Sequence, residues 1–321
     1  MPATHLINRV SVLGSGLIGG SFALALRKFT EGMHITVWDR PDTAARAKEL
    51  GAADEIFSGE LAPAIQNADL IYVALPISTT LDVLPEIARH APRHALVTDA
   101  CSTKARIANA AEELFNSGEG PLFLGGHPMA GKEVAGIANA EANLFRDTTY
   151  AFIGESMRAV DDDDAVETAV SASPGARLPG DRHTAEMLCS DPRVAAFLKI
   201  VQKIGARPLW LGAQQHDYAV GMASHLPQLA AVALASFLYD HLDENGLPIA
   251  LAGPGLRDSL RLAGSPYSTW RDIVLTNREV LSAALDLFAR RLDELREKLA
   301  TRELEADFDA ANELYKLLRS F

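Results

Sequence analysis

The residue best suited to proton chemistry in this chain is His127, set between glycines in Gly125-Gly-His-Pro-Met-Ala-Gly131. An imidazole with an unperturbed pKa near ~6.5 can serve as a general base at neutral pH. A histidine satisfied by backbone in a tight loop is the plainer reading. Ser102, in Asp99-Ala-Cys-Ser-Thr-Lys104, could bond the same reacting hydroxyl or the histidine. Alternatively it caps a helix, a role the neighbouring Thr103 could also fill. A third segment, Gly14-Ser-Gly-Leu-Ile-Gly19, follows the apolar run Val10, Val12, Leu13 and opens the helix-like run Leu17–Phe29. This is the Gly-x-Gly-x-x-Gly turn of dinucleotide sites. Gly14 allows the tight turn, Gly16 the approach of backbone to a pyrophosphate, and Gly19 close helix packing. Leu17, Ile18 and Pro76 complete the expected cofactor-binding set. Asp39 stands twenty residues after Gly19 at the end of a strand-like run. Its carboxylate could bond ribose hydroxyls and repel a 2′-phosphate, whereas the adjacent Arg40 could pair with one. A hydride carrier beside a base points to a dehydrogenase using NAD, with NADP less favoured.

These residues need a scaffold that gathers them. After His34–Trp38 come a helix over Thr43–Leu50, a strand Leu70–Leu75, a helix Thr79–His90, a strand Ala95–Thr98, a helix Thr103–Phe115 and a strand Leu122–Leu124. Apolar strand runs separated by helices predict a parallel sheet covered on both faces. Ligands bind beyond the carboxyl ends of such strands. Gly14, Asp39, Pro76, Asp99 and His127 should therefore meet in one crevice. Thr148–Ile153 and Arg207–Leu211 read as two more strands closing this domain. The core-poor stretch of about 155–191, with Asp161–Asp164, reads as a mobile surface insertion. From Gln214 strand signals stop. Val220–Leu238 reads as a buried central helix. Asn277–Arg302 reads as an amphipathic one, with Arg290/Glu294 and Glu294/Lys298 pairs. The fold class is α/β: an N-terminal Rossmann-like dinucleotide-binding domain over 1–212, then an all-helical C-terminal domain over 213–321 for substrate binding and dimerisation.

Composition agrees. A chain of 321 residues with 48% apolar content suits two domains. A net charge of −12 argues against a nucleic-acid partner, and an anionic substrate would need a local arginine. No apolar run of membrane-spanning length stands out, and Met1–Arg9 lacks a signal-peptide core. Cys101 and Cys189 make neither a disulfide framework nor a zinc pattern, so no metal is expected and the compartment reads as cytoplasmic.

Four segments, Gly14–Ser21, Asp99–Lys104, Gly125–Gly131 with Glu133 and Gly136, and His216-Asp217 with Ser224-His-Leu-Pro227, combine with a fifth, Gly255–Arg261 with Ser265, Trp270 and Asn277. This set resembles the prephenate/arogenate dehydrogenase family of tyrosine biosynthesis, over residues 8 to 280. The resemblance implies NAD-dependent oxidative decarboxylation of prephenate to 4-hydroxyphenylpyruvate by a homodimer. It makes His127 the proton acceptor, with Ser102 bonding the same hydroxyl or the histidine. It assigns Arg261 to the substrate's side-chain carboxylate, against a surface pair with Asp258, and places Ser224 and Ser265 near the ring. His225 joins the substrate-binding candidates, although a buried histidine with a backbone partner is the plainer reading. His216-Asp217 could simply cap and orient the helix it opens. One position departs from the pattern: prephenate users often read Ser-His-Leu-Pro-His, and here the fifth residue is Gln228, expected to face the substrate. That leaves arogenate, or dual cyclohexadienyl, specificity open. A 3-hydroxy acid dehydrogenase is the runner-up among enzymes, but Gln214–Leu238 contains no lysine to serve it. A non-catalytic dinucleotide sensor would leave His127, Ser102 and Arg261 unexplained as a set.

Overall fold

A computed structural model describes residues 7–115, 120–132, 134–154, 188–242 and 246–320. The predicted insertion up to residue 187, including Asp161–Asp164, lies outside them, as does Glu133.

The chain starts with β1 (Arg9–Leu13), α1 (Leu17–Phe29), β2 (His34–Trp38), α2 (Pro41–Glu49), β3 (Glu55–Phe57), α3 (Ala62–Ile65) and β4 (Leu70–Val73). There follow α4 (Ile77–His90), β5 (Leu96–Asp99), α5 (Ala105–Phe115) and β6 (Leu122–Leu124). β1, β4 and β5 are buried on both faces, Arg9 at the start of β1 excepted, because helices cover both faces of the sheet. The six strands are all parallel, in the order β3-β2-β1-β4-β5-β6. The chain winds outward from β1 in one direction and then returns to start again at β4. The crevice at the carboxyl ends of β1 and β4 is thus the topological switch point, where such sheets bind ligands. β3 and α3 were not read from the sequence.

His127 is not a loop residue past the sheet. It is the middle of β7 (Gly126–Pro128), which leaves the parallel sheet directly after β6. β7 pairs antiparallel with β8 (Thr149–Ile153), and after α6 (Pro192–Lys203) β8 pairs parallel with β9 (Arg207–Leu211). The last two strands therefore build a separate three-stranded sheet instead of closing the first one. An aromatic core joins the two sheets. Phe22 stacks on Tyr72 with ring centres 3.9 Å apart, Tyr150 stacks on Phe152 at 4.7 Å, and Phe197 meets Phe22, Tyr150 and Phe152 edge-on. These large buried rings fix β8, and through it the His127 strand, against the first sheet.

The rest is helical: α7 (Ala213–Val220), a π-helical turn Gly221–His225, α8 (Leu226–Asp240), α9 (Leu247–Ala250) and α10 (Pro254–Leu260). A 3₁₀ turn Arg261–Gly264, then α11 (Tyr267–Thr276), α12 (Arg278–Lys298) and α13 (Glu305–Ser320), complete it. The fold is thus a Rossmann-like unit followed by helices. Two expectations fail here. Ala213–Asp240 form one continuous 28-residue helical rod, long and apolar enough to cross a membrane by length and composition alone. The rod is also not a buried central helix, because Val232, Leu234 and Phe237 are exposed. On α12, Glu294 pairs with Arg291 at 2.6 Å, and Lys298 reaches Asp307 of α13 at 3.1 Å. Asp307 is nearly buried where α13 folds back, so it draws cations that helix spacing alone would assign to Glu294.

Candidate active site

The glycine loop behaves as its sequence requires. Gly14 has φ +88°, a conformation that L side chains rarely adopt, and a Cβ on Gly19 would overlap the Gly14 carbonyl oxygen. A Cβ on Gly16 would meet nothing within 4 Å, so the backbone there is open to a ligand. Gly16 also caps α1 without any side-chain bond to its first amides. Asp39 Oδ2 accepts from Ser15 N at 2.7 Å and Ser15 Oγ at 3.0 Å, and Asp39 Oδ1 from Arg40 N at 2.7 Å. The carboxylate therefore sits against the loop at the end of β2.

The neighbouring helix starts are filled differently. Asp272 of α11 accepts from Ser78 N and Oγ, at 3.0 and 2.6 Å, at the start of α4. Burial alone would raise the Asp272 pKa, but the Ser78 bonds and Arg271 carry it below the ordinary carboxylate value. Asp217 of α7 accepts from Lys104 N at 2.6 Å and Ala105 N at 2.9 Å, at the start of α5. A distant carboxylate, not Ser102 or Thr103, is the cap of α5; Thr103 Oγ1 instead bonds Thr276 Oγ1 at 2.8 Å. Of the helices that follow β1, β4 and β5, two have their positive ends answered by carboxylates from the helical region. Only α1 keeps its amides for an anionic ligand.

Around His127 the polar groups form one connected set. The Lys104 ammonium bonds Asp99 Oδ2 and, at 2.7 Å, the Gly126 carbonyl; both side chains are buried. Asp99 Oδ1 accepts from Gly126 N at 3.1 Å, and Oδ2 from Cys101 N at 2.9 Å. The residue before His127 is thus gripped by both of its backbone polar groups, and the Ser102 loop is tied to the same carboxylate. His127 Nδ1 lies 2.9 Å from His216 Nε2, and His216 Nδ1 lies 2.8 Å from Asp217 Oδ1. Asn277 Nδ2 donates to the Asp217 carbonyl at 2.8 Å and contacts His225 Nδ1 at 3.2 Å; Trp270 meets the His225 ring edge-on. Burial, reinforced by the charges of His216, Lys104 and His225, holds His127 well below the usual histidine pKa. Burial lowers His216 too, against the pull of Asp217, and pushes His225 down to about 4.

The structure thus links His127 and His225 through His216, Asp217 and Asn277, and draws the Ser102 loop to them through Asp99. Ser102 and Ser224 are half-buried. Gln228 is buried, and its amide nitrogen donates to the Leu262 carbonyl at 2.8 Å. It anchors the turn that opens with Arg261, which is exposed, and carries the half-buried Ser265 just beyond. Sequence reasoning placed Asp99 in the crevice and Asn277 in the family motif without assigning either a contact, missed Lys104, and read His216-Asp217 as a helix start. An acidic residue five positions before a lysine, at a strand end, was the available signal for the buried pair.

Known proteins resemble this chain in sequence and fold. The family model for the prephenate dehydrogenase nucleotide-binding domain matches residues 22–171, and that for the prephenate dehydrogenase dimerization domain matches residues 212–319. A prephenate dehydrogenase of Lactococcus lactis subsp. cremoris is 30% identical over 301 residues, covering 94% of this chain and 73% of the relative. A Synechocystis arogenate dehydrogenase structure is 27% identical, with a TM-score of 0.65 over 97% of this chain and 96% of that one. The fold also matches a prephenate dehydrogenase from A. aeolicus, solved with hydroxyphenyl propionate and NAD+, with a TM-score of 0.76 at 24% identity over 98% of each chain.

Proposed function

The chain belongs to the prephenate dehydrogenase family, and from that premise we propose that it oxidises prephenate to 4-hydroxyphenylpyruvate with NAD, releasing carbon dioxide, in tyrosine biosynthesis. The observation that carries the reading is His127: a half-buried imidazole whose charged form burial disfavours, held on a strand that Lys104 and Asp99 clamp. NAD, when bound, accepts the hydride from ring carbon 4 of the substrate. His127 takes the proton of the hydroxyl on that carbon. Carbon dioxide then leaves carbon 1 and the ring becomes aromatic, which drives the step. Ser102 orients the hydroxyl or His127.

The chain's residues suit the dinucleotide. Gly16 leaves backbone room, and the uncapped start of α1 offers amides to the pyrophosphate. Asp39 favours NAD over NADP by receiving ribose hydroxyls and repelling a 2′-phosphate. Leu17, Ile18, Gly14, Gly19 and Pro76 shape the crevice. Arg261 binds the substrate's side-chain carboxylate, with Ser224, Ser265, His225 and Gln228 around it. A second reading, arogenate or dual specificity, has one observation in its favour: Gln228 presents a neutral amide where a histidine is frequent.

We further assign residues 1–212 to cofactor binding and 213–321 to substrate binding and homodimer formation. The exposed apolar side chains of α8, among them Phe237 at 56% exposure, support self-association. The buried thiol of Cys101, bonded to Thr80, suits the reducing cytoplasm. The test is an NADH absorbance assay on prephenate and arogenate, each with NAD and NADP, repeated on His127→Asn. The expected result is turnover of prephenate with NAD, reduced about 10²- to 10⁴-fold in the variant. Turnover of neither substrate overturns the reading, and arogenate alone transfers it to the second.

A further inference from the structure

Two buried groups, His216 and Asp217, have no role in the function proposed above, yet their hydrogen bonds end at His127. We propose that they are positioning residues that dictate which nitrogen of His127 is bare. The proposal rests on the reading of His127 as proton acceptor and deepens it.

Each hydrogen bond in this relay fixes the direction of the next. Asp217 Oδ1 accepts from Lys104 N at 2.6 Å, and Oδ2 from Ala105 N at 2.9 Å. Backbone amides can only donate, so they hold this carboxylate as an acceptor at both oxygens. His216 Nδ1, 2.8 Å from Oδ1, must therefore be the donor. A neutral imidazole has one ring proton, so His216 Nε2 is bare and can only accept. Its neighbour at 2.9 Å is His127 Nδ1, which must then donate. The one ring proton of neutral His127 is thereby spent on Nδ1, and Nε2 is left as the lone pair. Burial disfavours the charged form of both rings. The charged or titratable groups around them are Asp99 and Lys104 from the β5–α5 side, Asp217 from α7 and His225 from the π-helical turn.

The arrangement also has a dynamic consequence for the proton. When His127 Nε2 takes a hydroxyl proton, the ring becomes a cation whose Nδ1–H already points at an acceptor, with the Asp217 carboxylate behind it. A base kept neutral by burial thus gains support only once it is charged. His216 and Asp217 belong to the helical region and His127 to β7. The base is consequently in its competent tautomer only when α7 is docked on α5, a docking that the Asp217 cap itself provides.

The test separates tautomer from turnover. Nitrogen-15 NMR of histidine-labelled protein reads protonation at each ring nitrogen without substrate. The expected spectrum has His127 protonated at Nδ1 and bare at Nε2. His216→Leu fills the volume but accepts no hydrogen bond, and should cut kcat about 10- to 100-fold with KM for NAD unchanged. His216→Gln can accept from His127 and donate to Asp217, and should recover most of that loss. A merely structural role predicts Leu and Gln to behave alike. A proton on wild-type His127 Nε2 overturns the proposal, and so does a His216→Leu enzyme that keeps its kcat when His127→Asn has lost it. If His127→Asn keeps its kcat as well, the proton-acceptor reading is what has failed, and the spectrum still decides the tautomer.

Discussion

Replacing Lys104 by methionine tests the clamp on the His127 strand. The substitution keeps the length and most of the volume of the side chain but removes its charge. Lys104 and Asp99 side chains are 1% and 0% exposed, so the partner cannot turn to water when its cation is lost. Asp99 would keep its bonds from Gly126 N and Cys101 N, while the Gly126 carbonyl would lose its bond from the ammonium. Leaving one member of a buried ion pair unpartnered typically costs about 3–5 kcal/mol. For a chain of this size that corresponds to a fall in Tm of roughly 6–10 °C, taking ~2 °C per kcal/mol. Urea unfolding of Lys104→Met, Asp99→Asn and the double variant closes a cycle. Each single change should cost several kcal/mol, and the double should cost less than the sum by ~2 kcal/mol or more, because removing both partners leaves no orphaned charge. A Lys104→Met loss below ~1 kcal/mol, with an additive double variant, would refute the clamp.

Acid stability should also report on the site. His127, His216 and His225 are held below the ordinary histidine range, so above pH ~6.5 they are neutral in folded and unfolded chains alike and contribute no pH dependence. Below that pH the unfolded chain binds protons that the folded chain refuses, and stability falls by up to ~1.4 kcal/mol per pH unit for each histidine. For His225 this loss continues down to about pH 4; urea midpoints that stay flat from pH 7 to 5 would contradict it. Asp39→Ser should narrow the preference of kcat/KM for NAD over NADP, and a wild-type preference for NADP would remove Asp39 from the ribose site. Arg261→Ala should raise KM for substrate about 10- to 100-fold with a smaller change in kcat, since a charge-assisted bond contributes ~1.5–3 kcal/mol and this carboxylate keeps its charge through the reaction; an unchanged KM would place Arg261 outside the site.

The sequence alone determined whatever depends on local chemistry. Gly14 needs a backbone conformation that only glycine takes easily, Gly19 needs contact with the Gly14 carbonyl, and both requirements are written in residue type and spacing. The parallel sheet was legible because strands buried on both faces are apolar without alternation. The tertiary structure decided everything that depends on a partner distant along the chain. Whether β8 and β9 extend the first sheet or pair with β7 is set by the break in the strand at Gly125 and by contacts such as the hydrogen bond from the Tyr150 hydroxyl to that of Tyr72, 78 positions away. Ser102 and Thr103 were the local candidates to cap α5, yet Asp217, more than a hundred positions later, does so, because its carboxylate answers two amides at once. The same carboxylate orders the two histidines. No spacing rule could show this, since hydrogen-bond direction passes through space from Asp217 to His216 to His127, which lies 89 positions from His216.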